Sequence, residues 1–198
     1  MKKTCVFITG TNAVGKSALA WSIIEHFGGI DRITNDVTYC VKGSVCLAGK
    51  YGETRFGGVD RITNEKGASC TSRLAEVVEE GLRHADIIIC EGSFMNTFGL
   101  NLTNAMFKAD RHLLVSLWAD GKTIYDRLTS RSNGKNGDGR RNYPTIINKQ
   151  RQAMIAARKW QSIGVKVLQF NTAETPIEKE LSAILKAIDK EEYFHDDK

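Results

Sequence analysis

Eight residues near the N-terminus, Gly10-Thr11-Asn12-Ala13-Val14-Gly15-Lys16-Ser17, fit the pattern G-x-x-x-x-G-K-[ST] without a mismatch. The pattern constrains a fold only when it forms the turn between a strand and a helix. Thr4-Cys5-Val6-Phe7-Ile8-Thr9 precedes it, apolar and rich in β-branched residues, as a strand buried on both faces should be. After it, apolar residues at 19, 20, 23, 24 and 27 give the one-faced spacing of a helix stopped by Gly28-Gly29. Gly10 and Gly15 permit backbone conformations that aim successive N–H groups into one concavity, where the helix dipole adds positive potential. Such a loop cradles a polyphosphate. Lys16 is expected to reach the β- and γ-phosphates of ATP, and the Ser17 hydroxyl to ligate Mg²⁺.

The rest of the chain alternates strand and helix signals. Asp31 to Asp36 reads as a second strand ending in a carboxylate. Residues 37–67 form a glycine-rich insertion with little periodicity, and a loop of this length in a compact domain is usually functional or disordered. Leu74, Val77, Val78 and Leu82 place a helix over 69–84, and Asp86-Ile87-Ile88-Ile89-Cys90-Glu91-Gly92 is a central strand closing on an acid. Further strands are expected at 112–118 and 165–170, with helices at 121–131, about 145–163 and 176–189. The βαβα alternation predicts one α/β domain over 1–189, with a five-stranded parallel sheet and helices on both faces. An acidic tail, 190–198, follows.

Composition narrows the partners. Formal net charge is +5, yet from Asp189 to Lys198 five acids outnumber two bases, so the body is more basic than the whole and suits a polyanionic ligand. No run of eighteen apolar residues exists, and the first strand starts too early for a signal peptide, so a cytoplasmic location without a membrane partner is expected. Five cysteines (5, 40, 46, 70 and 90) make no C-x-x-C pair, which predicts reduced thiols and neither a disulfide framework nor a zinc site.

The absence of an Asn/Thr-Lys-x-Asp motif argues against a GTPase. Arg127 and Arg131 stand four apart on the helix after the fourth strand, and the following loop carries Lys135, Arg140 and Arg141 against a single acid, Asp138. This is a basic lid, 127–145, of the kind that closes over charge spreading onto a γ-phosphate. The arrangement resembles the nucleoside and nucleotide kinase superfamily, which implies a 2-3-1-4-5 strand order. Two carboxylates at strand carboxyl ends are then candidates for the chemistry, one to accept or orient the acceptor hydroxyl and the other to hold Mg²⁺ with Ser17; Asp36 is favoured for the first role and Glu91 for the second.

The acceptor side lies in the insertion. Gly49-Lys50-Tyr51 and Gly57-Gly58-Val59-Asp60 resemble the paired G-[KR]-Y and G-G-x-D signature of small phage-encoded P-loop kinases that act in DNA hypermodification. Those enzymes phosphorylate the hydroxymethyl group of 5-hydroxymethyluracil in DNA; their second motif often has cysteine where this chain has Val59. The resemblance implies a partner DNA containing a modified pyrimidine, in a host cytoplasm. The residues are compatible: Tyr51 and Phe56 offer stacking faces worth roughly 1–3 kcal/mol per base, and Lys50 and Arg55 suit a phosphate backbone. Gly57 and Gly58 allow close approach, Asp60 suits a base edge or hydroxyl, and a duplex base would have to be flipped out. A kinase acting on free nucleotides, with Arg55, Arg61 or Arg73 on the acceptor phosphate, is the alternative. A P-loop ATPase module is a third reading, disfavoured because Glu91 has no preceding Asp.

Overall fold

Side-chain alternation along the first strand divides the core in two. In the computed structural model, which describes residues 2–35, 38–41, 45–49, 58–62, 70–132 and 143–189, β1 (Thr4–Thr9) is buried throughout. Cys5 and Phe7 pack into one apolar cluster, Val6 and Ile8 into another on the opposite face. Helix α1 (Lys16–His26) covers the second face with Leu19, Ala20, Ile23 and Ile24, joined by Ile184, Ala187 and Ile188 of the last helix, α6 (Ile177–Asp189). The first face is covered by α2 (Cys70–His84), by α3 (Leu100–Met106), and by α5 (Tyr143–Ser162). There Trp160 is fully buried, with Phe7 and Phe98 edge-on at ring-centroid distances of 6.1 and 5.0 Å.

The sheet has seven strands, ordered β2-β3-β4-β5-β1-β6-β7, where β2 is Ile30–Asn35, β3 Thr38–Val41, β4 Val45–Ala48, β5 Ile87–Glu91, β6 Arg111–Trp118 and β7 Lys166–Asn171. Five of them, β4-β5-β1-β6-β7, are parallel and reproduce the expected 2-3-1-4-5 order. The other two form an antiparallel extension beyond β4.

The second parallel strand is therefore β4, inside the stretch expected to be an insertion without regular structure, and the segment expected to fill that place is the outermost strand, β2. The reason is in the side chains. Val45-Cys46-Leu47-Ala48 is apolar at every position and buried at every position, as a strand covered on both faces requires. Ile30 to Asn35 carries Asp31, Arg32 and Asn35, a composition an interior parallel strand does not tolerate but an edge does.

Expectation and structure also differ at the cysteines. Cys5 and Cys90 are buried free thiols, but Cys46 is disulfide-bonded, to a partner outside the described side chains. Folding the extension as an antiparallel meander places Cys40 opposite Cys46 and so crowds cysteines that a loop would keep apart. Among the described residues no helix is long and apolar enough to cross a membrane.

Helix α4 (Gly121–Ser132) follows β6. Its connection is pinned to α5 by Gln150, whose amide Nε2 donates to the Ala119 carbonyl at 2.9 Å while its Oε1 accepts from the Ala119 N–H at 3.4 Å. The β1–α1 and β6–α4 connections both emerge at the carboxyl edge of the parallel strands, the place where α/β sheets bind ligands.

Candidate active site

The loop joining β1 to α1 has the glycine geometry that its sequence demands. Gly10 has φ 143° and lies so close to β6 that a β-carbon would strike the Leu117 carbonyl oxygen. Gly15, with φ 96°, turns the chain into the helix. Ala13, at φ 64°, is the only non-glycine residue with positive φ among the described residues. Asn96, buried in a 3-10 turn at Phe94–Asn96, fixes the loop's start: its Oδ1 accepts from the Gly10 N–H at 2.8 Å and from the Thr9 hydroxyl at 2.5 Å. Thr11 donates to the Ile146 carbonyl of α5 at 3.2 Å. Lys16, only 8 % exposed, donates from Nζ to the carbonyls of Gly10 (3.0 Å) and Thr11 (2.9 Å). A buried ammonium needs such acceptors or an anion in their place.

Glu91 ends β5 beside this loop. It is 2 % exposed, and the Ser17 hydroxyl donates to its Oε1 at 3.1 Å. The two oxygen donors expected to share a metal are thus adjacent. Among the described residues no three His, Cys, Asp or Glu side chains gather as a protein-only metal site. One carboxylate beside one hydroxyl fits Mg²⁺, which keeps waters and substrate phosphates as its remaining ligands.

The G-G-x-D motif docks on the same strand end. Gly58 adopts φ 73° and ψ −170°, and a β-carbon there would strike the Glu91 carbonyl. Gly49 packs its backbone on Gly58, so the two limbs of the insertion meet glycine to glycine. Asp60 then reaches under Gly92: its Oδ2 accepts from the Ser93 N–H at 2.7 Å and its Oδ1 from the Phe94 N–H at 3.2 Å. Ser93 in turn donates from Oγ to Asn12 Oδ1 at 3.1 Å, linking this turn to the phosphate loop.

Arg127 reaches the opposite flank of the loop. Its Nη1 donates to the Ala13 carbonyl at 3.2 Å and the Thr172 hydroxyl at 2.9 Å, and its Nη2 to the Thr172 carbonyl at 2.7 Å. Expected as a lid cation, it is engaged as a brace between the loop and the segment after β7. Glu180, 3 % exposed in the first turn of α6, lies near it. Burial pushes the Glu180 carboxyl up to about 7 against the opposing pull of Arg127, with Glu178 adding to the rise.

Arg131 lies in the last turn of α4. Asp36, Lys50, Tyr51, Arg55, Phe56, Gly57, Arg140 and Arg141 fall outside the described residues. The strand that leads to Asp36 ends at Asn35, on the same edge of the sheet as Glu91 but four strands from β1, about 19 Å at the usual spacing. Asp36 was expected at the end of the second parallel strand, a place that β4 takes. Sequence reasoning missed Asn96, Ser93 and Thr172, which act through single backbone or amide contacts and have no spacing rule. Asn96 offered one signal, an amide in an otherwise apolar turn just past a strand ending in Glu91.

At the level of the fold, the chain is similar to the YorR protein of Bacillus subtilis, solved in complex with phosphorylated GDP: 16% identity, 98% of this chain and 100% of that one covered, TM-score 0.59. It is likewise similar to shikimate kinase from Bacteroides thetaiotaomicron, at 14% identity, with 94% of this chain and 99% of that one covered and a TM-score of 0.54. The fold is that of the P-loop kinases. A scan of protein-family models finds no match, and a search of curated protein sequences finds none.

Proposed function

We propose that the chain is an ATP-dependent kinase that transfers the γ-phosphate to a hydroxyl group. The observation that carries this reading is the adjacency of Ser17 and Glu91 at the mouth of a glycine-rich loop with Lys16 inside it. Backbone N–H groups of Gly10–Ser17 cradle the phosphates, and Lys16 exchanges its two carbonyl acceptors for β- and γ-phosphate oxygens. Ser17 and Glu91 would hold Mg²⁺, which would supply neutralisation of phosphate charge. Arg127 keeps the loop in register with Thr172, and Arg131, Arg140 and Arg141 belong to the lid that excludes water. A bond forms between the acceptor oxygen and the γ-phosphorus as the bond to the β-phosphate oxygen breaks. ADP departs, and the hydroxyl proton passes to a carboxylate, a role the sequence assigns to Asp36 although the strand before it ends about 19 Å from β1.

The acceptor reading rests on the insertion. Its Gly49-Lys50-Tyr51 and Gly57-Gly58-Val59-Asp60 strings favour the 5-hydroxymethyl group of 5-hydroxymethyluracil in DNA, with Lys50, Tyr51, Arg55 and Phe56 on the nucleic acid. A second reading, phosphorylation of a free nucleotide, is favoured by the similarity to YorR, whose structure contains phosphorylated GDP. Binding to DNA at rising salt separates them. Several phosphate contacts predict a steep loss of affinity between about 50 and 200 mM salt; no measurable DNA binding at low salt sinks the DNA reading. Asp36→Ala should abolish turnover while ATP still binds, and unchanged turnover removes Asp36 from the mechanism.

A further inference from the structure

The G-G-x-D aspartate does something other than wait for a substrate. Both oxygens of Asp60 accept backbone N–H groups, from Ser93 at 2.7 Å and Phe94 at 3.2 Å, and so anchor the turn that follows Glu91. Two contacts leave that turn for the phosphate loop. Ser93 Oγ donates to Asn12 Oδ1 at 3.1 Å, in the middle of the loop, and Asn96 Oδ1 accepts from Gly10 N at 2.8 Å, at its start. The orientation of the Asn96 amide follows from that second contact, since only its oxygen can face an N–H donor.

Glycines make the approach possible. A β-carbon on Gly92 would lie 2.7 Å from Asp60 Oδ1 and 2.6 Å from Val59 Cγ2, so the carboxylate reaches the two N–H groups only across a bare backbone. Gly58, immediately before Val59, has a backbone that other residues rarely adopt. The chain therefore commits Gly58, Gly92, Asp60, Ser93 and Asn12 to one connection. It joins residues 58–62, the return limb of the insertion, to the loop between β1 and α1.

We propose that Asp60 is a positioning residue for nucleotide binding: by holding Ser93 and Phe94 it sets Asn12 and Gly10, and so shapes the phosphate loop from the acceptor side. This rests on the reading of that loop as an ATP site. Both carboxylate oxygens are engaged, one for each N–H donor, whereas a side-chain amide offers a single acceptor oxygen.

A double-mutant cycle tests it, with a fluorescent ATP analogue as probe and Mg²⁺ present. The proteins are wild type, Asp60→Ala, Asp60→Asn, Ser93→Ala, Asn12→Ala and Asp60→Ala combined with Asn12→Ala. Asp60→Ala and Asn12→Ala are each expected to weaken binding about 5-fold, and the double variant no more than the weaker single, because both cut one connection. Asp60→Asn, with one acceptor oxygen left, falls between Asp60→Ala and wild type. A merely structural aspartate would lower stability without this non-additivity. Fold losses that multiply in the double variant overturn the proposal, as does wild-type affinity in Asp60→Ala. Should Asp60→Ala fail to fold, Ser93→Ala keeps the Asp60 contact to the Ser93 N–H and removes only the link to Asn12; wild-type affinity there is equally contradictory. Failure of the wild-type protein to bind the analogue overturns the ATP reading itself, a result distinct from additivity.

Discussion

The Ser17 hydroxyl donates to Glu91 Oε1 at 3.1 Å, joining the first turn of α1 to the carboxyl end of β5 across 74 residues of chain. If this pair holds Mg²⁺, neither residue is replaceable by a group without an oxygen ligand of the same kind. Ser17→Ala and Glu91→Gln should each lower kcat on the order of 100-fold or more, and the double variant little further. Raising Mg²⁺ should partly restore the single variants. Steady-state kinetics at two Mg²⁺ concentrations check this.

Gly58 is a position where the insertion cannot accept a side chain without strain. Gly58→Ala places a β-carbon against the Glu91 carbonyl, in a backbone region nearly exclusive to glycine. A cost of roughly 1–3 kcal/mol in unfolding free energy is expected, with a fall in turnover because Glu91 is displaced. Denaturant unfolding alongside initial rates measures both. Gly15→Ala, whose added β-carbon would meet no atom within 4 Å, would suffer only from its φ of 96° and should cost less.

Arg127 bridges Ala13 of the phosphate loop to Thr172. Arg127→Lys retains charge but loses the fork that serves two acceptors at once. The KM for ATP should rise several-fold, with a smaller effect on kcat, if Arg127 shapes the ground-state site; a large loss in kcat at unchanged KM would place it over the transferring phosphate instead.

Glu180 makes stability depend on pH in an unusual direction. Its carboxyl is held up near 7 by burial, above the value of an exposed glutamate, so the folded state binds more protons than the unfolded one between about pH 4.5 and 7. The carboxyl's contribution is fully present below that window and is lost as pH rises through 7. Glu180→Gln removes the titration. It should leave Tm close to wild type at pH 5 and raise it at pH 8.5, by an amount on the order of 2 kcal/mol in stability. Thermal melts at the two pH values provide the check, and an equal change at both excludes the titration as cause.

The glycine-rich loop, α1 and β5 were legible because each rests on local periodicity or on a motif with a fixed backbone, and the five-stranded parallel order followed from the kinase resemblance. The antiparallel extension was not. Thr38–Val41 and Val45–Ala48 are four residues each, too short for alternation to register, and the apolar run at Val45 differs little from a buried loop segment. Missing them displaced the expected position of the strand before Asp36 and hid the crowding of Cys40 and Cys46. At the site, Lys16, Ser17 and Glu91 were readable from strand ends and motif. Asn96, Ser93 and Thr172 were not, because a single side chain to backbone contact across the fold has no sequence period. Asp60 was visible as part of a motif, but its partners emerge only once β5 and the G-G-x-D limb are folded together.

Transfer of label from γ-labelled ATP tests phosphoryl transfer to a hydroxyl most directly. The purified protein, with Mg²⁺, is offered DNA containing 5-hydroxymethyluracil, the same DNA with thymine, and a panel of nucleosides and nucleoside monophosphates. Acid-stable label is predicted on a hydroxyl-bearing acceptor, on the modified DNA in the favoured reading, and none with Lys16→Ala. Label confined to a mononucleotide keeps the kinase and moves the acceptor to the second reading. Release of labelled phosphate at the same rate with and without every acceptor, and no labelled product, would contradict a kinase altogether.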